Sequence, residues 1–303
     1  MEHKPEDAEK PQGISQANAP FRAHHSLLGV AALALAGSAV LVNRRAAQAE
    51  RDYLPKGRFV TVDGVRLHYV EKGNGPPVVF LHGNGAMVED MLICGVVDEV
   101  ASAYHAIVFD RPGFGHSERP QDRSWTALAQ ARLFAKAFAQ LGIGSPIVVG
   151  HSWGTLVALA LALNHPQSVG GLVVASGYYF PTARSDVALF SPPSMPIVGD
   201  VISYTVAPII GEAIGWPLIT KMFAPQPVSP KFEREFPMPL ALRPSQIKAF
   251  SQDTSHMIIA AQQLSPRYAS ITCPTVIMAG DADRIVNVER GPKAAWRDPG
   301  KPT

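Results

Sequence analysis

The sequence predicts an α/β protein, a mostly parallel sheet with helices on both faces, and three observations lead there. Between Pro77 and Ala175 short apolar runs alternate with segments of helical period, the rhythm of β-α units. Pro77 to Leu81 (PVVFL) is apolar at every position, as a strand covered on both faces must be. The rhythm breaks once, from Tyr178 to Pro244, and then resumes. With 303 residues, 47% hydrophobic and 17% charged, the chain can bury one large core or two modest ones. A net charge of +2 with no Lys/Arg run gives no case for nucleic acid.

Residues 1–22 are polar and proline-containing, the composition of a disordered N-terminus. Residues 23–43 contain no Asp, Glu, Lys or Arg, and Leu27 to Val42 is almost wholly apolar. At about 1.5 Å per residue a helix of that length covers roughly the 30 Å of one hydrocarbon core. The expectation is a single membrane anchor. A secretory signal is the alternative, since Ala47-Gln48-Ala49 resembles a cleavage site. Arg44, Arg45, Arg51, Lys56 and Arg58 follow the span, and only Arg22 stands close before it. The positive-inside bias then puts the main body on the cytoplasmic side.

Residues 44–56 read as a linker. Residues 57–177 form the first part of the core: two alternating strands joined by Asp63-Gly64, a hairpin turn pair, and then the buried strand Pro77 to Leu81. Strands at His105 to Phe109, Pro146 to Val149 and Gly171 to Ala175 alternate with helices at Trp125 to Leu141 and Trp153 to Asn164. Residues 178–244 carry twelve prolines. That density excludes long regular helices, so this stretch is expected to be an inserted lid of short helices over the sheet's carboxyl edge. Residues 245–303 return to the core with a helix, Ser245 to Gln263, and a strand, Thr275 to Ala279. Cys94 and Cys273 have no metal-ligand or CxxC spacing and read as two separate thiols.

Strand, Gly150-His151-Ser152-Trp153-Gly154, helix is the arrangement of a nucleophile elbow, a turn that lifts a serine hydroxyl above the sheet beside a helix N-terminus. "FLHGNG", Phe80 to Gly85, sits at the carboxyl end of an earlier strand. Acyl transfer needs two main-chain donors for a developing oxyanion. The amides of Trp153 and Asn84 are the candidates. His82 reads as a structural histidine that bonds backbone in its turn. Asp110 and Arg111 read as braces of the loop after their strand, as does His116.

With "LHGNG", "FDRPGFGHS", "GHSWG" and "AGDADRIV" in this order, residues 57 to 290 resemble the α/β-hydrolase fold, and most closely its capped branch that includes haloalkane dehalogenases and epoxide hydrolases. Those relatives carry an aspartate at the elbow, where this chain has Ser152. The departure argues against alkyl-halide or epoxide opening and for acyl-serine chemistry on an ester, lactone or related bond. The resemblance makes Asp283 the triad acid, with Asp281 as the alternative. It also places a histidine some two to three dozen residues later, after one more strand. The sequence after Asp283, "RIVNVERGPKAAWRDPGKPT", has no histidine, so the expectation is a chain truncated before its C-terminal strand and helix and lacking its base. His151 and His256 are poor substitutes by position. Tyr178, Tyr179, Tyr204 and Trp216 in or beside the apolar lid suggest an apolar small-molecule substrate. No metal or organic cofactor is implied, and the oligomeric state is open. The rival function is a non-catalytic ligand-binding membrane protein of the same fold.

Overall fold

A computed structural model describes residues 19–283 and 285, with the backbone alone for 19–28, 185 and 186. The expected truncation before a C-terminal strand and helix, and most of the expected polar N-terminus, fall on residues outside those described. The chain begins with helix α1 (Ala19–Asp52). Strands β1 (Arg58–Val62) and β2 (Val65–Lys72) follow as an antiparallel hairpin. Its turn residues Asp63 and Gly64 both have positive φ, 50° and 75°, the left-handed pair that matches strand twist in a two-residue hairpin.

Strand β3 (Pro77–Leu81) leads to two short helices, α2 (Val88–Ile93) and α3 (Val96–Ala101), which the sequence reading did not resolve. Then come β4 (His105–Phe109), α4 (Ala127–Gln140), β5 (Ile147–His151), α5 (Gly154–Asn164) and β6 (Gly171–Ala175). Helix α4 starts where Thr126 accepts the Ala129 amide through its hydroxyl. After β6 lie α6 (Ser185–Phe190), α7 (Val198–Thr205), α8 (Ala207–Phe223), α9 (Pro230–Glu235) and α10 (Met238–Ala241). Helix α11 (Pro244–Leu264) and strand β7 (Thr275–Met278) complete the described elements.

The seven strands form one sheet in the order β1-β2-β4-β3-β5-β6-β7, antiparallel at β1-β2-β4 and parallel from β4 to β7. The period of two splits its strands between two cores. Val79, Leu81, Ile107 and Phe109 point into a large core with α4, α5 and α11. Val78, Phe80, Ala106 and Val108 point into a smaller one under α2 and α3. Helix α5 is buried on nearly every side, which its run of Ala, Leu and Val allows.

Two features depart from the expectations. Residues 44–52, read as linker, continue α1 as regular helix, and α1 packs on the body through α7, α10 and α11. The proline-rich stretch does contain one long helix, the 17-residue α8, which keeps Pro217 inside it. Pro208 occupies the first turn of α8, where an amide hydrogen has no partner to lose. Pro217 and the Ala213 carbonyl it leaves without its helical donor are both exposed, so no polar group is stranded in a core. Within α1, Gly29–Asp52 is long and apolar enough to cross a membrane by length and composition.

Candidate active site

Strand β5 ends at His151 and α5 starts at Gly154, leaving Ser152 and Trp153 to make the turn. Ser152 has φ +52°, a backbone state that a non-glycine residue holds only at a cost of about 1–3 kcal/mol. The surroundings impose it. Its amide donates to the Ala175 carbonyl at 2.9 Å, and its carbonyl accepts the Thr155 amide and hydroxyl at 3.1 and 2.6 Å. A Cβ at Gly154 would lie 2.2 Å from the Leu81 carbonyl oxygen, so only glycine lets α5 approach β3 this closely.

The turn after β3 meets the serine directly. A Cβ built on Gly83 would lie 3.0 Å from Ser152 Cβ and 3.5 Å from Ser152 Oγ, so the main chain of this turn borders the hydroxyl. Asn84 is held by its side chain: Nδ2 donates to the Phe250 carbonyl at 3.0 Å and to Thr254 Oγ1 at 2.8 Å, both on α11. His82 is fully buried. The Arg111 amide can only donate, so the 2.9 Å contact leaves His82 Nε2 bare, and Nδ1 carries the proton that it donates to the Gly83 carbonyl at 2.8 Å. Burial first, then the Arg111 charge, lowers the His82 pKa to about 3. Such an imidazole is a strut and not a proton carrier.

Trp153 is almost wholly buried, and its indole nitrogen donates to the Asp253 carbonyl at 2.9 Å. The Arg111 guanidinium lies 4.6 Å from the indole and 4.7 Å from the Phe114 ring, and bonds Asp253 Oδ2 at 2.5 Å. Arg119 takes the other carboxylate oxygen at 2.9 Å. Asp110 bonds His68 Nδ1 at 2.7 Å and the amides of Val88 and His116 at 2.8 and 2.9 Å. Its pKa is held below the usual range by these donors and charges against the effect of burial. Asp110 and Arg111 are thus braces, as expected, but the partner that completes the network, Asp253, was not foreseen. The signal was available: Asp253 falls on the buried face of α11 with Ala249, Ala260 and Leu264, where an aspartate needs buried partners.

Asp283 lies in the turn after β7; its amide donates to the Gly280 carbonyl at 3.1 Å, and Oδ1 accepts the Ile285 amide at 2.8 Å. Desolvation lowers the His151 pKa, and the Asp283 carboxylate offsets part of this, so its field reaches the end of β5. Asp281 is exposed in the same turn. His151 Nδ1 lies 3.3 Å from the notional Gly83 Cβ, the point that is also 3.5 Å from Ser152 Oγ. His256 opens on a different cleft, lined also by Gln121, Arg123, Trp125 and Gln252 but not by Ser152.

The four aromatic candidates do not converge. Tyr178 and Tyr179 pack in the main core, with hydroxyls turned back to Thr182 and to Val174 and Gly177. Burial pushes the Tyr179 pKa up to about 12. Trp216 packs on a separate cluster of Phe232, Phe236 and Leu240, and Tyr204 is exposed on α7. Among the described residues, no group of His, Cys, Asp or Glu is arranged to hold a metal ion.

A sequence profile described as "alpha/beta hydrolase fold" matches residues 76–297. The chain is similar to haloalkane dehalogenase 2 of Mycobacterium bovis, 28% identical over 126 residues, 42% of this chain and 43% of that protein. It thus spans under half the length of that relative. Similarity to the 2-hydroxy-6-oxo-6-phenylhexa-2,4-dienoate hydrolase of Burkholderia cepacia runs further, 26% over 243 residues, 78% of this chain and 83% of that one. Among solved structures, a bacterial membrane phospholipase A superposes with a TM-score of 0.58 at 24% identity, over 90% of this chain and 86% of its own. At that identity the likeness is one of fold.

Proposed function

Because the chain belongs to the α/β-hydrolase fold family, we propose that it is a serine hydrolase that opens an acyl bond, ester, lactone or related, of an apolar small molecule. The observation that carries this reading is Ser152 at φ +52° with its hydroxyl against the Gly83 turn. In the proposed reaction Ser152 Oγ bonds to the acyl carbon while its proton passes to a base. The main-chain amides of Asn84 and Trp153 take the oxyanion, and the C–O bond breaks as the leaving alkoxide is protonated. Water then attacks the acyl-serine and restores the hydroxyl. Asp283 is the carboxylate that would orient the base. Similarity to a dienoate hydrolase supports a hydrolytic outcome, and the serine at the elbow supports an acyl-enzyme.

Of the described histidines, His82 is a neutral strut and His256 opens on another cleft, whereas His151 Nδ1 borders the same Gly83 turn as Ser152 Oγ and feels the Asp283 charge. A site in which Ser152 is not activated supports a second reading, a ligand-binding protein of the same fold. A fluorophosphonate separates the two. Labelling that is lost in Ser152→Ala establishes an activated serine. No labelling, together with a rise in melting temperature on adding apolar esters, establishes the binding protein.

We further propose that α1 anchors the protein in a membrane, with the body on the cytoplasmic side, in preference to a cleaved export signal. Supporting the anchor, the candidate cleavage site at 47–49 lies inside a regular helix, with Ala49 buried against the body.

A further inference from the structure

Helices α7 and α8 meet at an elbow bent by 62°, and together they are as apolar as a membrane span. Along α8 the exposed side chains Ile210, Ile214, Leu218 and Met222 recur every four residues and form one stripe. The other face of α8 holds Trp216, Ile219 and Phe223, which pack on the Phe232 and Phe236 rings. Helix α7 carries a matching exposed pair, Val201 and Tyr204. From Met195 to Phe223 the only charged residues are Asp200, Glu212 and Lys221. Asp200 is drawn back to Lys248 and Glu212 to Arg45, the latter at 2.6 Å. A soluble surface seldom leaves so continuous an apolar patch uncovered.

The position of α1 says what covers it. Ser38, inside the apolar run of α1, donates its hydroxyl to the Thr205 carbonyl at 2.6 Å, at the elbow itself. Arg45, seven residues on, meets Glu212. At 1.5 Å per residue these ties are about 10 Å apart along α1, so the elbow lies about 10 Å deeper than the ion pair. A helix that crosses a bilayer through Gly29–Val42 must carry this elbow below the headgroups, at the depth reached by interfacial helices.

We propose that the α7–α8 elbow is a membrane-embedded surface, its exposed Val201, Tyr204, Val206 and Ile210 side chains entering the same leaflet that α1 crosses, with lipid as the occupant, while α8 beyond Glu212 rises out of it. The proposal rests on the reading of α1 as an anchor. At that depth the medium is hydrocarbon, and both ion pairs lie where carboxylate and cation can reach water or headgroups.

The test uses the full chain with Cys94 and Cys273 replaced by serine. Single cysteines at Ile210, Leu218, Val30 and Gln140 carry an environment-sensitive NBD label, in vesicles of phosphatidylcholine with dibrominated acyl chains. All four positions are exposed, so the labels leave the packing intact. The expected result is at least two-fold quenching at Ile210 and Val30, and none at Leu218, which lies outward of the Glu212 ion pair, or at Gln140 on α4. Quenching at Val30 without quenching at Ile210 overturns the embedded elbow and leaves the anchor standing. No quenching at Val30 removes the anchor and the proposal with it. A blue-shifted but unquenched label at Ile210 means that a second copy or another protein covers the elbow, which also overturns it.

Discussion

At the scale of single residues, the site is built from groups whose freedom has been removed. His82 illustrates this, since each ring nitrogen is committed to backbone, one as donor and one as acceptor. Burial disfavours a charged ring, and the Arg111 guanidinium adds to that, which is why the folded pKa of His82 falls to about 3 from 6.5. The sign of the stability effect follows. Between about pH 6.5 and pH 3 the unfolded chain binds a proton at His82 and the folded chain does not. This contribution is therefore complete above pH 6.5 and declines as the pH falls, by up to about 1.4 kcal/mol per unit. We expect the melting temperature of the wild type to fall more steeply from pH 6.5 to 4 than that of His82→Gln, although the variant starts lower. Parallel curves would show that His82 titrates normally.

At the scale of elements, α11 is the brace of the site. It holds the Gly83-Asn84 turn through Phe250 and Thr254, and it holds Trp153 and Arg111 through Asp253. Both proposed oxyanion donors are thus set by a helix more than a hundred residues downstream of the β3 turn. Asp253→Ala would leave Arg111 buried without its carboxylate, a loss of about 3–5 kcal/mol. Urea titration of the full chain in detergent reads it, and a loss under about 1 kcal/mol would mean that the pair is not buried. This division of labour also explains what could be read beforehand. The β3, β4 and β6 runs, the Asp63-Gly64 turn and the Ser152 elbow are local patterns, fixed by apolar periodicity and glycine, and the strands were legible almost to the residue. The hold of Asn84 on α11 was not legible, because one acceptor, the Phe250 carbonyl, is a main-chain group and the other, the Thr254 hydroxyl, lies 170 positions away. The aromatic lid residues misled for a related reason. Apolar rings such as Tyr179 and Trp216 serve a core as readily as a pocket, and only packing separates the two uses.

At the scale of the molecule, the question is whether α1 is a loose tether or part of the rigid body, and Arg243 decides it. Its guanidinium is buried and bonds the Gly115 carbonyl in the loop after β4, the Leu240 carbonyl at 3.1 Å and Glu50 of α1 at 2.9 Å. With Ala49 buried beside Glu50, the last turns of α1 are fixed to the same loop that Asp110 organises. A helix docked in this way sets the tilt of the whole body against the plane of a bilayer, which a flexible linker at 44–56 would not. The three bonds differ in weight. Those to buried carbonyls involve a charged donor and lose about 2–3 kcal/mol when it is removed. The bond to Glu50, whose side chain is more than half exposed, is worth under about 1 kcal/mol. Arg243→Met should therefore be clearly destabilised in denaturant titration, Glu50→Gln barely, and the double variant no further than Arg243→Met alone, because the second change removes an interaction already lost. If Glu50→Gln proved as costly as Arg243→Met, the docking of α1 would rest on its carboxylate, and the guanidinium would not be the joint that fixes the helix to the body.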